Sequence, residues 1–246
     1  MKKLFNSAGR CLDCYRAYGV TETLLRLLHR FRIVAAVHTL EFYVNELVQV
    51  PKDASSDGNE NINFREVFAN ELEHLDFAEG LQTVDWMRNQ FSNGSRFFAA
   101  VEGKKVVSTC WIHTSFAELD YIKRPLVELT EGVVYTHGAV TAPEFRGLGI
   151  AAALRHFVMA RMEQEGYKYF FGALFIDNFA AKRLQKSVNS KYWGRITYVK
   201  WKQKEVWIKQ LTFEGKRMPR VFDTVVAEPT KQTPIQPRKV VSEFSR

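Results

Sequence analysis

Apolar positions in residues 20–35 fall at helical spacing: Leu24, Leu27, Leu28 and Phe31, with Arg26, His29, Arg30 and Arg32 among the rest. This predicts a basic amphipathic helix, capped by Thr21 or Thr23. Such a helix either packs its leucines on the domain or rests on an anionic membrane or a partner. Leu40, Phe42 and Val44 then alternate with Glu41, Tyr43 and Asn45, the pattern of a half-buried strand. Pro51 to Asn61 has the composition of a flexible connector. Two further helices are predicted after it: Phe64, Val67, Phe68, Leu72 and Leu75 form one stripe, and Leu81, Val84, Met87 and Phe91 the next, closed by Asn93-Gly94.

Phe97 to Val101 and Val106 to Phe116 read as a hairpin turning at Glu102-Gly103. The stretch from Ala117 to Glu131 is irregular and long for a hairpin connection, a length often tied to function. Gly132 to Thr141 is a third apolar strand. Residues 149–165 are helical in period, and Tyr169 to Phe175 is a short apolar strand suited to burial on both faces. A helix over Asn178 to Val188 and two strands, Tyr192 to Lys200 and Glu205 to Thr212, complete the order. Beyond Pro219 the chain carries Pro229, Pro234 and Pro237 among polar residues and is expected to be mostly disordered.

Composition changes this picture little. The 246 residues, 46% hydrophobic, suffice for one α/β core. The net charge of +8 sits at the ends: residues 1–32 hold seven Lys/Arg against two acids and residues 216–246 seven against three, while residues 33–215 hold twenty-one against twenty-two. Basic ends of this kind are usually solvated, and no dedicated nucleic-acid site is expected. No apolar run is long enough to span a bilayer, and an odd count of three cysteines argues against a disulfide framework, so a cytoplasmic location is expected. Cys11 and Cys14 have metal-like spacing without a second Cys/His pair, and no metal is expected.

The chemistry concentrates in Val140 to Leu154, VTAPEFRGLGIAAAL. A strand ends, Pro143 interrupts it, and a glycine-containing turn feeds a helix opening with three alanines. Successive N–H donors in such a turn, aided by the helix dipole, form a nest for an anion such as a pyrophosphate. Gly147 and Gly149 lack the Cβ atoms that would block close approach, and Arg146 can add a charge-assisted bond. On spacing alone this is either an anion site or a plain strand-to-helix turn. It is neither a Walker loop nor a dinucleotide fingerprint.

The pattern Arg146, Gly149 and Ala151, preceded by Val140 and Pro143, resembles the signature of the GNAT acyltransferase superfamily. The element order over residues 38–212 is similar to that family's, and Asn178, Ala181 and Leu184 resemble its second motif. The resemblance implies an α/β fold with a mixed, mostly antiparallel central sheet flanked by helices. Three regions are then expected: an N-terminal helical extension (residues 1–37), the GNAT-like domain (38–215) and a basic tail (216–246). It implies acetyl-CoA, or another acyl-CoA, as co-substrate, held by Arg146, Gly147, Leu148, Gly149, Ile150 and Ala151 at the pyrophosphate. Ala139, Val140 and Thr141 would lie beside the pantetheine arm, and Asn178 near its sulfur end. Asn178 equally suits a helix N-cap.

The implied reaction is acyl transfer by direct attack of an amine, on a small molecule or sugar-like metabolite. The alternatives are transfer to a protein or peptide, and a non-catalytic acyl-CoA-binding module. Many relatives carry an acidic tyrosine where this chain has Gln185, and Tyr192 lies seven residues beyond. For the base, His137 is the first candidate, with Glu131 and Asp120 as weaker ones for base or amine-binding duty. Strict alternation puts His137 on the opposite face from Val140 unless a bulge intervenes. Trp111 and His113, on the neighbouring strand, can line an acceptor pocket, though Trp111 equally suits the core.

Overall fold

In the computed structural model, the described residues are 19–20, 23–31, 33–34, 36–47, 61–118, 126–201, 204–210 and 222–225. In chain order these give helix α1 (23–30), β1 (Ala36–Glu46), β2 (Ile62–Val67), a 3-10 turn (Ala69–His74), β3 (Asp76–Phe77), α2 (Val84–Ser92), β4 (Arg96–Glu102) and β5 (Lys105–His113). There follow β6 (Phe116–Glu118), β7 (Leu126–Leu129), β8 (Val133–Thr141), a 3-10 turn (Pro143–Phe145), α3 (Ile150–Gln164), β9 (Tyr169–Phe175), α4 (Phe179–Ser187), β10 (Lys191–Trp201), β11 (Lys204–Gln210) and β12 (Phe222–Val225). The strands pair mostly antiparallel and helices flank them, the mixed α/β class expected from the sequence.

The described residues fall into two compact units. One lies within Met1–Asn45 and Phe171–Pro219, the other within Glu46–Phe170 and Arg220–Arg246. In the first, β11, β10, β1 and β9 adjoin in that order. Its core stacks Phe42 on Phe171, with Trp193 edge-on to both. Of the leucine stripe on α1, Leu27 and Leu28 are half-buried, while Leu24 and Phe31 stay 54% and 70% exposed.

In the second unit β8, β5, β4 and β2 adjoin, with β3 parallel to β5. Helix α3 lays Ile150, Leu154, Val158, Met159 and Met162 onto one face, against Phe98, Cys110, Ile112 and Val134. The opposite face carries Met87 of α2 with Phe97, Val106 and Trp111. Burying large side chains on both faces is worth about 1.5–3 kcal/mol each and fixes strand register.

Two expectations are corrected. The stripe Phe64 to Leu75 is not a helix: Ile62–Val67 is a strand paired antiparallel with β4, and only Ala69–His74 turns, as 3-10. Ile62 and Phe64 pack toward α3, whereas Val67, Leu72 and Leu75 pack toward α2, so the apparent single stripe serves two faces. Backbone pairing with a long neighbouring strand outweighs the local period. The loop expected to be irregular also contains structure: β7 pairs there with β6, and it pairs with β12, the described part of the tail, whose other residues lie outside the described ones. Cys11, Cys14, Asp120 and nearly all of the Pro51 to Asn61 connector lie outside the described residues.

Candidate active site

The signature turn forms because β8 ends at a buried alanine and the chain must reverse onto the sheet. The Ala142 N–H donates to the Val107 carbonyl at 2.9 Å, Pro143 opens the 3-10 turn, and the Arg146 N–H returns to the Pro143 carbonyl. Arg146 then secures the turn to the strand end, its Nε donating to the Thr141 carbonyl at 3.0 Å. Gly147 and Gly149 adopt φ of +81° and +78°, a region costly for any residue with a Cβ. Gly149 is the N-cap of α3, and Ala152 and Ala153 both donate to its carbonyl. A Cβ built at either glycine would meet no atom within 4 Å, so the space above the turn is open. The N–H groups of Gly147, Gly149, Ile150 and Ala151 make no hydrogen bond among the described residues. Leu148 is exposed beside them, and Ile150 turns inward to anchor the helix. The result is a helix N-terminus with its donors presented around an accessible hollow, suited to a doubly charged phosphate group.

The strand leading into this turn is not regular. Thr109 of β5 pairs with Val140 and Trp111 with His137, so β8 carries one extra residue at Gly138–Ala139. Gly138 has φ of +55°, and a Cβ there would fall 2.9 Å from Trp111 and 3.0 Å from Trp86. The bulge is held from the loop before α2: Gln82 Nε2 donates to the Gly138 carbonyl at 2.7 Å and the Thr109 hydroxyl donates to Gln82 Oε1 at 3.0 Å. Because paired residues share a face, Val140 and His137 now point the same way, with Thr109 and Trp111. Strict alternation would have separated them. Ala139 is exposed, and Thr141 bonds through its hydroxyl to Ser108 at 2.8 Å.

His137 belongs to a layer of rings on the α2 side of the sheet. His113 stacks on it at 4.7 Å, Tyr135 at 6.0 Å, and Trp86 approaches at 6.3 Å. Burial pushes the His113 imidazole down to about 4, and burial together with His113 pushes that of His137 down to about 3. Both rings are therefore neutral near pH 7. His113 Nε2 lies 2.9 Å from the Ser95 hydroxyl. His137 Nε2 is buried with no partner among the described residues, as is Trp111 Nε1. Trp111 itself is fully buried, stacked on Phe97 at 4.4 Å.

Glu131 sits in the exposed turn before β8. It is six residues from His137, roughly 20 Å along a strand, so the two are not brought together. Asn178 belongs to the first unit, where its Oδ1 accepts the Ala181 N–H at 3.0 Å and caps α4. Gln185, also there, is buried and its Oε1 accepts from the Ser190 hydroxyl at 2.8 Å. That gives the glutamine a packing role at the position where many relatives carry a tyrosine. Tyr192 lies on β10, edge-on to Tyr43. Gln82, Trp86 and Thr109 escaped the sequence reading. The signal for Gln82 was a polar residue, just ahead of the Thr83 N-cap, with no local backbone role. Among the described residues no group of three or more His, Cys, Asp or Glu is placed to hold a metal ion, and no helix is long and apolar enough to cross a membrane.

The sequence model of the Acetyltransferase (GNAT) family matches residues 63–188, from β2 through the signature turn to the end of α4. No curated protein matches the chain significantly. Among solved structures, a GCN5-related N-acetyltransferase from Sphaerobacter thermophilus is similar at 19% identity over 75% of this chain and 57% of its own, with a TM-score of 0.48. A putative GNAT acetyltransferase from Novosphingobium aromaticivorans is 19% identical over 67% of this chain and 64% of its own, with a TM-score of 0.43. A GNAT-family acetyltransferase from Colwellia psychrerythraea is 15% identical over 74% and 63%, with a TM-score of 0.47. The chain thus spans less than two thirds of the length of each. The family match covers more than half of the chain and contains the whole turn with its open donors: the chain belongs to the GNAT acetyltransferase family.

Proposed function

We propose that the protein transfers an acetyl or other short acyl group from acyl-CoA to an amine of a small molecule or sugar-like metabolite. The observation that carries this reading is the hollow at the start of α3, where two positive-φ glycines leave open space and Gly147, Gly149, Ile150 and Ala151 present N–H groups that find no partner among the described residues. A pyrophosphate supplies the acceptor oxygens such donors need, and the helix dipole favours its charge. Arg146 is already bonded to the strand end through Nε, which keeps its positive charge beside the hollow. The side-chain hydroxyl of Thr141 is taken up by Ser108, so the strand end would meet the pantetheine arm chiefly through its backbone.

In the reaction the nitrogen lone pair attacks the thioester carbonyl. The C–N bond forms, the C–S bond breaks, and the proton lost from nitrogen ends on sulfur. The bulge turns His137 and Val140 to one face, so the histidine stands on the acceptor side of the strand end. Its depressed pKa gives it the part of a neutral hydrogen-bonding group, too weak a base to store the proton near neutrality. Glu131, far along the strand, takes no part, and Gln185 has no proton to give, so the sulfur is protonated through water.

The reading is tested by incubating the protein with acetyl-CoA and amino sugars, alkyl amines and peptides while following released thiol. Thiol release that depends on a small-molecule amine is expected. Release with peptides alone would move the protein to the protein-acetylating class, and acetyl-CoA binding without release for any acceptor would make it a binding module.

A further inference from the structure

Trp111 Nε1 and His137 Nε2, two buried ring nitrogens with no hydrogen-bond partner among the described residues, lie on directly facing residues. Trp111 and His137 are Cα partners across the β5–β8 ladder, on the face that meets α2. Leaving a buried polar atom unsatisfied costs about 1–3 kcal/mol, so two on one cross-strand pair call for a partner. Trp86 meets both rings edge-on, with its centroid 5.5 Å from that of Trp111 and 6.3 Å from that of His137. Unlike Trp111 it is only half-buried. Rotamer changes of side chains that meet a ligand are common on binding, and Trp86 is the half-buried ring beside the pair.

The chemistry of the pair restricts what can fill it. Trp111 Nε1 is a donor only, so the ligand atom facing it must accept, which an ammonium cannot do. His137 Nε2 is on a neutral ring and can take either role. The surrounding groups are also uncharged near pH 7: Phe91, Tyr135 and His113 as rings, with Gln82 and Thr109 bonded to the Gly138 bulge. A carboxylate or phosphate placed there would lose its hydration with no cation to replace it. A hydroxyl can both accept from the indole and bond to the imidazole, and it brings no charge.

We propose that Trp111 and His137, with Trp86 beside them, form the acceptor-specificity site, which takes hydroxyl oxygen of a hydroxylated amine such as an amino sugar. This rests on the acyl-transfer reading above, since it places the acceptor at the bulge beside the CoA turn. The same face disfavours lysine side chains and polyamines, which offer no acceptor oxygen to Trp111.

The test is calorimetry on the full chain loaded with CoA, titrated with glucosamine and, separately, with cyclohexylamine, for the wild type, Trp111→Phe and His137→Phe. Near-UV circular dichroism identifies any variant that fails to fold, and the second variant then stands in for the first. Comparing variant with wild type for each amine cancels their different basicity. Expected is a loss of glucosamine affinity of about tenfold or more in either variant, with cyclohexylamine changed by less than about twofold; tenfold corresponds to ~1.4 kcal/mol. Glucosamine that does not bind, or equal losses for both amines, overturns the site. A variant that is less heat-stable but keeps the wild-type preference also overturns it, because the nitrogens then serve only a resident water. Absence of CoA binding in the wild type is a separate outcome: it removes the acyl-transfer reading itself.

Discussion

Gln82 reaches from the loop before α2 to the Gly138 carbonyl, 2.7 Å away, and so ties that loop to the bulge that aims His137 and Val140. The amide is used at both ends, since its oxygen accepts from Thr109. Gln82→Leu removes both bonds and leaves the bulge held only by the Thr109 hydroxyl, which donates to the Gly138 carbonyl at 3.1 Å. A stability loss of about 1–3 kcal/mol is expected by urea denaturation, together with a fall in kcat/KM of about tenfold or more. Unchanged kinetics would show that the bulge holds without this residue.

Gly138 is fixed by two independent constraints, φ of +55° and the Trp111 and Trp86 rings at 2.9 and 3.0 Å from a Cβ. Gly138→Ala should therefore destabilise by about 2–4 kcal/mol, combining backbone strain with overpacking. At Gly147, where a Cβ meets nothing within 4 Å, Ala should cost only the backbone strain, about 1–2 kcal/mol. Equal losses at the two positions in thermal or urea unfolding would contradict the packing described around the tryptophans.

The buried histidines give stability a defined pH dependence. Folding lowers His113 to about 4 and His137 to about 3 from the ordinary value near 6.5, and lowers His156 as well through burial and Arg155. Between about pH 6.5 and 4 the unfolded chain takes up protons that the folded chain refuses. Stability therefore falls as pH falls through this window, by up to about 1.4 kcal/mol per pH unit for each group, and is level with respect to these groups above it. His113→Gln should make the decline shallower in urea titrations between pH 6.5 and 5. An identical slope would show that His113 is not held neutral.

Arg96 is the hub of the ion-pair network in the second unit. Its Nε meets Glu66 of β2 at 2.7 Å and its Nη1 meets Glu165, after α3, at 2.5 Å, with the ring of Phe98 beneath. Desolvation opposes the charge, but the two carboxylates prevail and raise its pKa. Arg96→Met keeps the stem, strands Glu66 and leaves Glu165 with Arg161 alone, 3.0 Å away, so a loss of up to about 3 kcal/mol is expected. Glu66→Gln combined with Glu165→Gln in the same background should recover part of it. No recovery would mean that the guanidinium matters through packing alone.

The signature turn was legible because it is local: the glycines, the helix that follows and the preceding strand lie within fifteen residues. The hairpin and α2 were legible for the same reason. What escaped depends on partners distant in sequence. Ile62 to Val67 carries apolar residues at helical spacing, and only its pairing with β4 makes it a strand. The bulge at Gly138 follows from register against β5 and from Gln82, 56 residues earlier, and no period within β8 announces it. The acid position reads as a gap in sequence, while in the fold Gln185 is occupied with Ser190.

The central claim is that the open donors at the start of α3 hold the pyrophosphate of acyl-CoA. Isothermal titration with acetyl-CoA on wild type and Gly149→Val tests it most directly. A valine there meets no protein atom within 4 Å of its Cβ but is strained at φ of +78°, so circular dichroism first establishes that the variant, with its side chain filling the hollow, is folded. The expected result is saturable binding to the wild type and a loss of about 100-fold or more in the folded variant, ~2.8 kcal/mol. Equal affinity for the two proteins, or no binding to the wild type, would contradict the claim.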